Sequence, residues 1–155
     1  MQQQREKWIY TTDIAVTAAY DTQRFILLIR RGQKPDDPFS GFLALPGGHV
    51  KTSDCGSANA AIRELKEETD IDVPVHLLEY FMVLDVPGRD PRKDHELTVS
   101  VVYRLNVLLG MLKFAKAQSD AAEIVVRELG TIKPEEMAFD HYKVIELLRA
   151  KGGRR

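Results

Sequence analysis

The segment RELKEET, Arg63 to Thr69, gathers Glu64, Glu67 and Glu68 within five residues. At about 100° per residue these carboxylates share one arc of a helix. Ala58, Ala61, Ile62, Leu65 and Thr69 fall beside it and form a face suited to a core. Glu64/Glu67 and Glu64/Glu68 are like-charge pairs at i,i+3 and i,i+4, each unfavourable by about 0.2–0.5 kcal/mol. Glu67 and Glu68 also approach the negative end of the helix dipole, so local physics opposes the arrangement. Two readings follow. One is a solvated acidic face, partly balanced by Arg63/Glu67 and Lys66/Asp70 in the weaker basic-first order. The other is a set of hard oxygen donors of the kind a divalent cation prefers.

The elements that must position this face can be read outward from it. Ser57 is the expected N-cap of the acidic helix, and Asp70 its stop, since a short polar side chain tolerates the left-handed backbone. Upstream, IAVTAAY (14–20) and FILLIRR (25–31) read as strands joined by the polar turn DTQR (21–24). RGQKPDDPFSG (31–41) is a loop. FLAL (42–45) is a short strand running into PGGH (46–49). Downstream, 73–86 and 97–109 are rich in strand-forming residues, with PGRDPRKDHE (87–96) between them, and EIVVREL (123–129) is a further strand. A last helix is expected from Asp140 as N-cap through HYKVIELLRAK, ending at Gly152 and Gly153. Strands and helices without regular alternation predict an α+β fold, a mixed sheet with helices on its faces.

Bulk properties bound the partners. The 155 residues, 44% hydrophobic and 29% charged, suit one domain with a sizeable core. A net charge of −1 gives no electrostatic case for nucleic acid or a membrane surface, whereas a small polar ligand fits. Cys55 is the only cysteine, which excludes an internal disulfide or cysteine zinc cluster and points to a reducing compartment. The start MQQQREKW lacks the apolar stretch of a signal peptide, and no apolar run is long enough to span a bilayer. The expectation is a cytoplasmic protein.

Taken in order, PGGHVKTSDCGSANAAIRELKEETDI (46–71) gives a glycine turn, a loop and then Arg-Glu-x-x-Glu-Glu on a helix. This resembles the Nudix hydrolase box, GX5EX7REUXEEXGU with U apolar, and Arg63, Glu64, Leu65, Glu67, Glu68 and Ile71 fit their places. The resemblance implies a Nudix-type α/β/α sandwich and a single Nudix domain over 1–155. It also implies a Mg²⁺ or Mn²⁺ cofactor bound by Glu64, Glu67 and Glu68 with help from the Gly48 carbonyl, one of the acids serving as base. Such ions offset the phosphate charge that repels an attacking water. Arg63 is expected to orient the acids. Two positions depart from the box. Counted forward from Gly48 the loop acid falls on Asp54, and counted back from Arg63 it falls on Cys55, so the loop carries one extra residue. Asp54 then either reaches in as the missing acid or leaves that place vacant. Asp70 stands where the family has glycine.

The combination RRGQKPDDPFSGFLALPGGHV, DVPGRDPR, SDAAE and AFDH is similar to the compact bacterial and archaeal ADP-ribose pyrophosphatases, and Pro87 stands sixteen residues past Ile71, where that subgroup has a proline. This implies cleavage of ADP-ribose to AMP and ribose 5-phosphate. A house-cleaning pyrophosphatase of nucleoside triphosphates and a non-catalytic ADP-ribose sensor are the alternatives. Phe39, His49, Arg89 and His141 are the candidate substrate contacts, with Arg92 a lesser one. Glu123, ahead of Asp120, is the candidate further acid near the metal. Each has a bland use as well: core packing for Phe39, solvation for His49, Arg89, Arg92, Asp120 and Glu123. Asp140 reads as a cap. Trp8 reads as an anchor to the sheet or to a second subunit, which leaves a homodimer open.

Overall fold

The structure is a computed structural model in which residues 7–92 and 96–152 are described. Seven strands form one mixed sheet: β1 (Lys7–Tyr20), β2 (Gln23–Arg31), β3 (Leu43–Ala44), β4 (Gly47–His49), β5 (Glu79–Leu84), β6 (Glu96–Asn106) and β7 (Ala121–Glu128). β1 runs parallel to β6, and every other pairing is antiparallel. Helix α1 (Ser57–Thr69) and the short α2 (Leu109–Lys113) lie on one face. Helix α3 (Tyr142–Gly152) lies on the other.

Period-two alternation explains the layering. On β1, Ile14, Val16 and Ala18 pack with Ala61 and Leu65 of α1. Ala15, between them, joins Leu45, Val102, Val144, Ile145 and Leu148 under α3. The expected α/β/α sandwich is therefore present, with both cores sharing the central strands.

A fork in the first hairpin positions the site. β1 and β2 pair from Tyr20/Gln23 back to Val16/Leu27 and then part. β3 takes the place beside β2 at Ile29/Ala44, and β4 the place beside β1 at Thr12/Gly48. The Ile14 N–H donates to the Pro46 carbonyl at 2.9 Å, closing the fork. The PGG turn is thus held against β1, facing α1.

Several boundaries differ from the sequence expectations. β1 begins at Lys7, well before Ile14, because parallel pairing with β6 supports polar and aromatic residues that alternation alone did not mark. Helix α1 is capped by Gly56, and Ser57 is its first residue. The Ser57 hydroxyl instead meets the Tyr103 hydroxyl at 2.8 Å. Leu109, expected as the end of a strand, opens α2 instead, and β6 stops at Asn106. The carboxylate of Asp140 accepts from Arg89, and α3 starts at Tyr142. Asp70 ends α1 with φ of 62°, as its side chain suggested. Among the described residues no helix is long and apolar enough to cross a membrane.

Candidate active site

Glycine is required at both turn positions by close approach. A Cβ on Gly47 would lie 2.2 Å from the Thr12 carbonyl oxygen, and one on Gly48 would lie 2.6 Å from the Glu64 carboxyl carbon. The backbone is pressed between β1 on one side and the acidic face of α1 on the other. In that position the Gly47 N–H donates to the Glu68 carboxylate at 2.9 Å.

Glu68 is buried, and burial pushes its carboxyl up to about 8; the Gly47 N–H opposes this, while the negative charges of Glu64, Asp13 and Asp120 add to it. Arg63 organises the remaining acids. Its Nε and Nη2 fork onto the two oxygens of Asp54 at 2.7 and 2.9 Å. Its Nη1 donates to Glu64 at 2.6 Å and Glu67 at 3.2 Å, and Nη2 also donates to the His49 carbonyl at 3.0 Å. Arg63, expected to orient the acids, thus bonds to Asp54, Glu64 and Glu67.

Asp54 is turned to Arg63. The hydrogen bonds from Arg63 and from the Lys51 N–H hold its carboxyl down to about 2. Just after it, Cys55 adopts φ of 57° and Gly56 φ of 127°.

A cavity of about 230 Å³ opens beside this cluster. Its lining mixes acids, Asp13, Glu68, Asp90 and Asp120, with the cations Arg31, Lys34, Arg89 and Arg92, and includes Gly47, Gly48, His49, Phe139 and His141; Lys34 pairs with Asp120 at 3.0 Å. Arg89 is clamped by both oxygens of Asp140, the shortest contact being 2.7 Å. Arg92 is held by Asp90 at 2.7 Å and lies 4.8 Å from the Phe139 ring centre. His141 is buried: its Nδ1 accepts the Leu45 N–H at 3.1 Å, and its Nε2 lies 3.5 Å from Asp13. Burial pushes the Asp13 carboxyl up, but His141, Ser100 and Arg89 outweigh that and leave it below the usual range.

Of the sequence candidates, Gly48, Glu68, Arg89, His49 and His141 meet at this cavity, with Glu64 against Gly48. Two do not. Glu123 points outward from β7 into a 2.7 Å pair with Arg30, and Asp120, earlier in the same segment, lines the cavity instead. Phe39 packs behind Phe139, ring centres 4.5 Å apart, and it is Phe139 that faces the cavity. Asp13 and Arg31 were missed. The available signal for Asp13 was a charged residue directly before the apolar run IAV (14–16).

The donor set fits a hard divalent cation in type: three carboxylates on one helix face, a neighbouring backbone carbonyl, and a buried Glu68 whose raised carboxyl owes most to burial and less to the charges of Glu64, Asp13 and Asp120. It is not preassembled. Among the described residues no three His, Cys, Asp or Glu side chains are already arranged around one point, because Glu64 and Glu67 turn to Arg63 and Glu68 turns to Gly47.

An acidic helix docked on a glycine turn at the fork of a mixed sheet defines a class, and the comparisons agree. A family model of the NUDIX domain matches residues 10–148, and the chain belongs to the Nudix hydrolase family. The ADP-ribose pyrophosphatase of Methanocaldococcus jannaschii is 38% identical over 143 residues, which make up 90% of this chain and 75% of that protein. A MutT/nudix family protein from Enterococcus faecalis superposes with a TM-score of 0.74 at 26% identity, over 94% of this chain and 62% of that one. This chain thus spans less than two thirds of that longer relative. The NUDIX domain of Shewanella oneidensis NrtR, solved with ADP ribose, superposes with a TM-score of 0.79 over 95% of this chain and 90% of that one. At 24% identity that likeness is one of fold.

Proposed function

We propose that this chain hydrolyses the pyrophosphate bond of ADP-ribose, or of a closely related nucleoside diphosphate derivative, with a divalent cation, Mg²⁺ or Mn²⁺, as cofactor. The observation that carries the reading is a cavity beside the acidic helix whose lining includes Glu68 together with Arg31, Arg89 and Arg92, in a chain 38% identical to an ADP-ribose pyrophosphatase.

Glu64, Glu67 and Glu68, with the Gly48 carbonyl, would hold the cation, which when bound supplies positive charge beside the diphosphate and lowers the pKa of water. The protein's own groups do the rest. The guanidinium groups offer forked donors to anionic oxygens. Arg89 is pre-oriented by Asp140, so little side-chain entropy is lost on binding. The turn is fixed from beneath by His141 through the Leu45 N–H. In the reaction the oxygen of water bonds to one phosphorus and the bridging P–O bond breaks. The water proton passes to a carboxylate of the cluster, and AMP and ribose 5-phosphate leave.

Initial rates on ADP-ribose and a panel of nucleoside triphosphates, with each cation, test the substrate. A preference for triphosphates overturns the ADP-ribose assignment in favour of nucleotide house-cleaning. The hold of Arg63 on Glu64 and Glu67 favours one second reading, a module that senses ADP-ribose without cleaving it. Calorimetry that shows tight binding with no AMP released would select that reading.

A further inference from the structure

A second cavity, of about 210 Å³, lies toward the other end of β1. The active-site cavity takes Ile9, Thr11 and Asp13 of that strand, and this one takes Thr17 and Ala19. Thr17 stands four residues beyond Asp13, about 13 Å along an extended strand. Register brings in the other walls. Asn106 of β6 pairs with Thr17 and Arg104 with Ala15, while Arg24 of β2 pairs with Ala19. The last turns of α3 close the space with Leu148, Lys151 and Gly152. Three cations thus reach one cavity from three elements, and among the described residues no carboxylate lines it.

Each cation is held in place with donors to spare. Arg24 donates through Nη2 to the Leu148 carbonyl at 2.8 Å. Its guanidinium fills the space that a Cβ on Gly152 would need, 1.6 Å from Nη1. Arg104 directs Nε and Nη2 to a single oxygen of Glu79. The Lys151 ammonium sits 4.6 Å from the centre of the Phe81 ring, the guanidinium of Arg104 5.9 Å from the same centre, and among the described residues no carboxylate pairs with Lys151. Asn106 accepts the Thr17 hydroxyl at 2.5 Å through Oδ1, which leaves its amide N–H groups without a partner among the described residues. Capping of α3 explains Arg24 and Lys151, but not why Arg104 and Asn106 converge on the same space.

We propose that this cavity binds the phosphate group of a small phosphomonoester or free phosphate, at a site separate from the one that holds the diphosphate. Glu79 balances one of the three positive charges. Two remain, close to the charge of about −1.5 to −2 on a phosphate monoester near neutral pH. Guanidinium groups from β2 and β6 and an ammonium from α3 approach from different directions, which suits a tetrahedral oxyanion better than a flat carboxylate. The volume is below the range of about 300–1,000 Å³ that takes a drug-sized ligand, so a small ligand fits. A chain of net charge −1 offers no extended basic surface for nucleic acid around it.

This site is independent of the substrate assignment, and testing it needs neither divalent cation nor turnover. In chelator at fixed ionic strength, inorganic phosphate titrated into the ¹⁵N-labelled protein is expected to shift the amide resonances of residues 17–19, Asn106 and residues 148–152 to saturation. AMP and ribose 5-phosphate, titrated alongside, separate the sources: a lower midpoint for either gives the site to a phosphomonoester, and equal midpoints give it to phosphate itself. Lys151→Gln, at an exposed position outside the catalytic machinery, is expected to raise the midpoint at least about tenfold, the scale of one charged hydrogen bond. Lys151→Arg is expected to stay close to wild type. Absence of a saturable shift at these amides with all three ligands overturns the proposal. So does a midpoint unchanged in Lys151→Gln, a response that sodium chloride reproduces, or one seen only with an oligonucleotide or with anionic vesicles.

Discussion

Glu68 carries two properties that a single substitution separates. Its carboxylate is a member of the proposed cation site, and its burial makes the charged form costly. Glu68→Gln and Glu67→Gln remove charge with little change of volume, so each is expected to leave the circular dichroism spectrum intact and to lower turnover on ADP-ribose at least about 100-fold, the scale of losing an essential ionised group. Near-normal rates in either variant would remove that residue from the machinery. The pH dependence of stability without cation follows from the sign of the Glu68 shift. Its folded pKa, about 8, lies above the ordinary 4.5, so the folded state holds the proton more tightly than the unfolded chain. Its contribution is fully present below pH about 4.5 and is lost as pH rises through about 8, at up to about 1.4 kcal/mol per unit. Urea midpoints in chelator should therefore fall across that window, and Glu68→Gln should flatten the fall. Asp54 acts in the opposite sense. Held at about 2 by Arg63, it stabilises above the ordinary carboxylate range and loses that contribution as pH drops toward 2.

The elements differ in how openly the sequence announced them. Helix α1 was legible because its apolar arc, its acidic arc and the left-handed stop at Asp70 are all local properties. The fork of β1 and β2 was not, since it consists of which strand pairs with which, and β3 and β4 are too short to show alternation. The same distinction explains the site. Glu64, Glu67 and Glu68 follow from spacing on one helix. Asp13, Asp120 and Phe139 reach the cavity only through strand order and loop closure, and the choice of Asp120 over Glu123 rests on a β-bulge at Arg30/Arg31 that no pattern in SDAAE reveals. The fork makes its own prediction. Gly47→Ala would drive a methyl group into the Thr12 carbonyl and the Asp13 carboxylate, 2.2 and 2.4 Å away. Relief requires the turn to move off β1, at an expected cost of about 1–3 kcal/mol. Because the Gly47 N–H then leaves Glu68, activity should fall along with the thermal midpoint. A variant with unchanged midpoint and rate would show that the turn is free to shift without consequence.

For the molecule as a whole, the acidic face is a local defect that a ligand of the folded state can relieve. α1 is held against the turn by Arg63, whose fork joins Asp54, Glu64 and the His49 carbonyl, and it gathers carboxylates that an unfolded chain would leave apart. A divalent cation should therefore bind the folded form selectively, and selective binding stabilises by mass action. At about 100 times its dissociation constant the cation would add about 2.7 kcal/mol, which in a domain of this size raises the thermal midpoint by about 5–10 °C. Titrating MnCl₂ against the midpoint at neutral pH measures this without any turnover. The rise should be lost when Glu64 and Glu68 are both changed to Gln, and the variant itself should start from a higher midpoint than the cation-free wild type, since it no longer buries Glu68 among like charges. A wild-type midpoint indifferent to Mn²⁺ and Mg²⁺, with and without ADP-ribose, would mean that Arg63 alone balances the acids and that the helix was built for charge pairing within the fold.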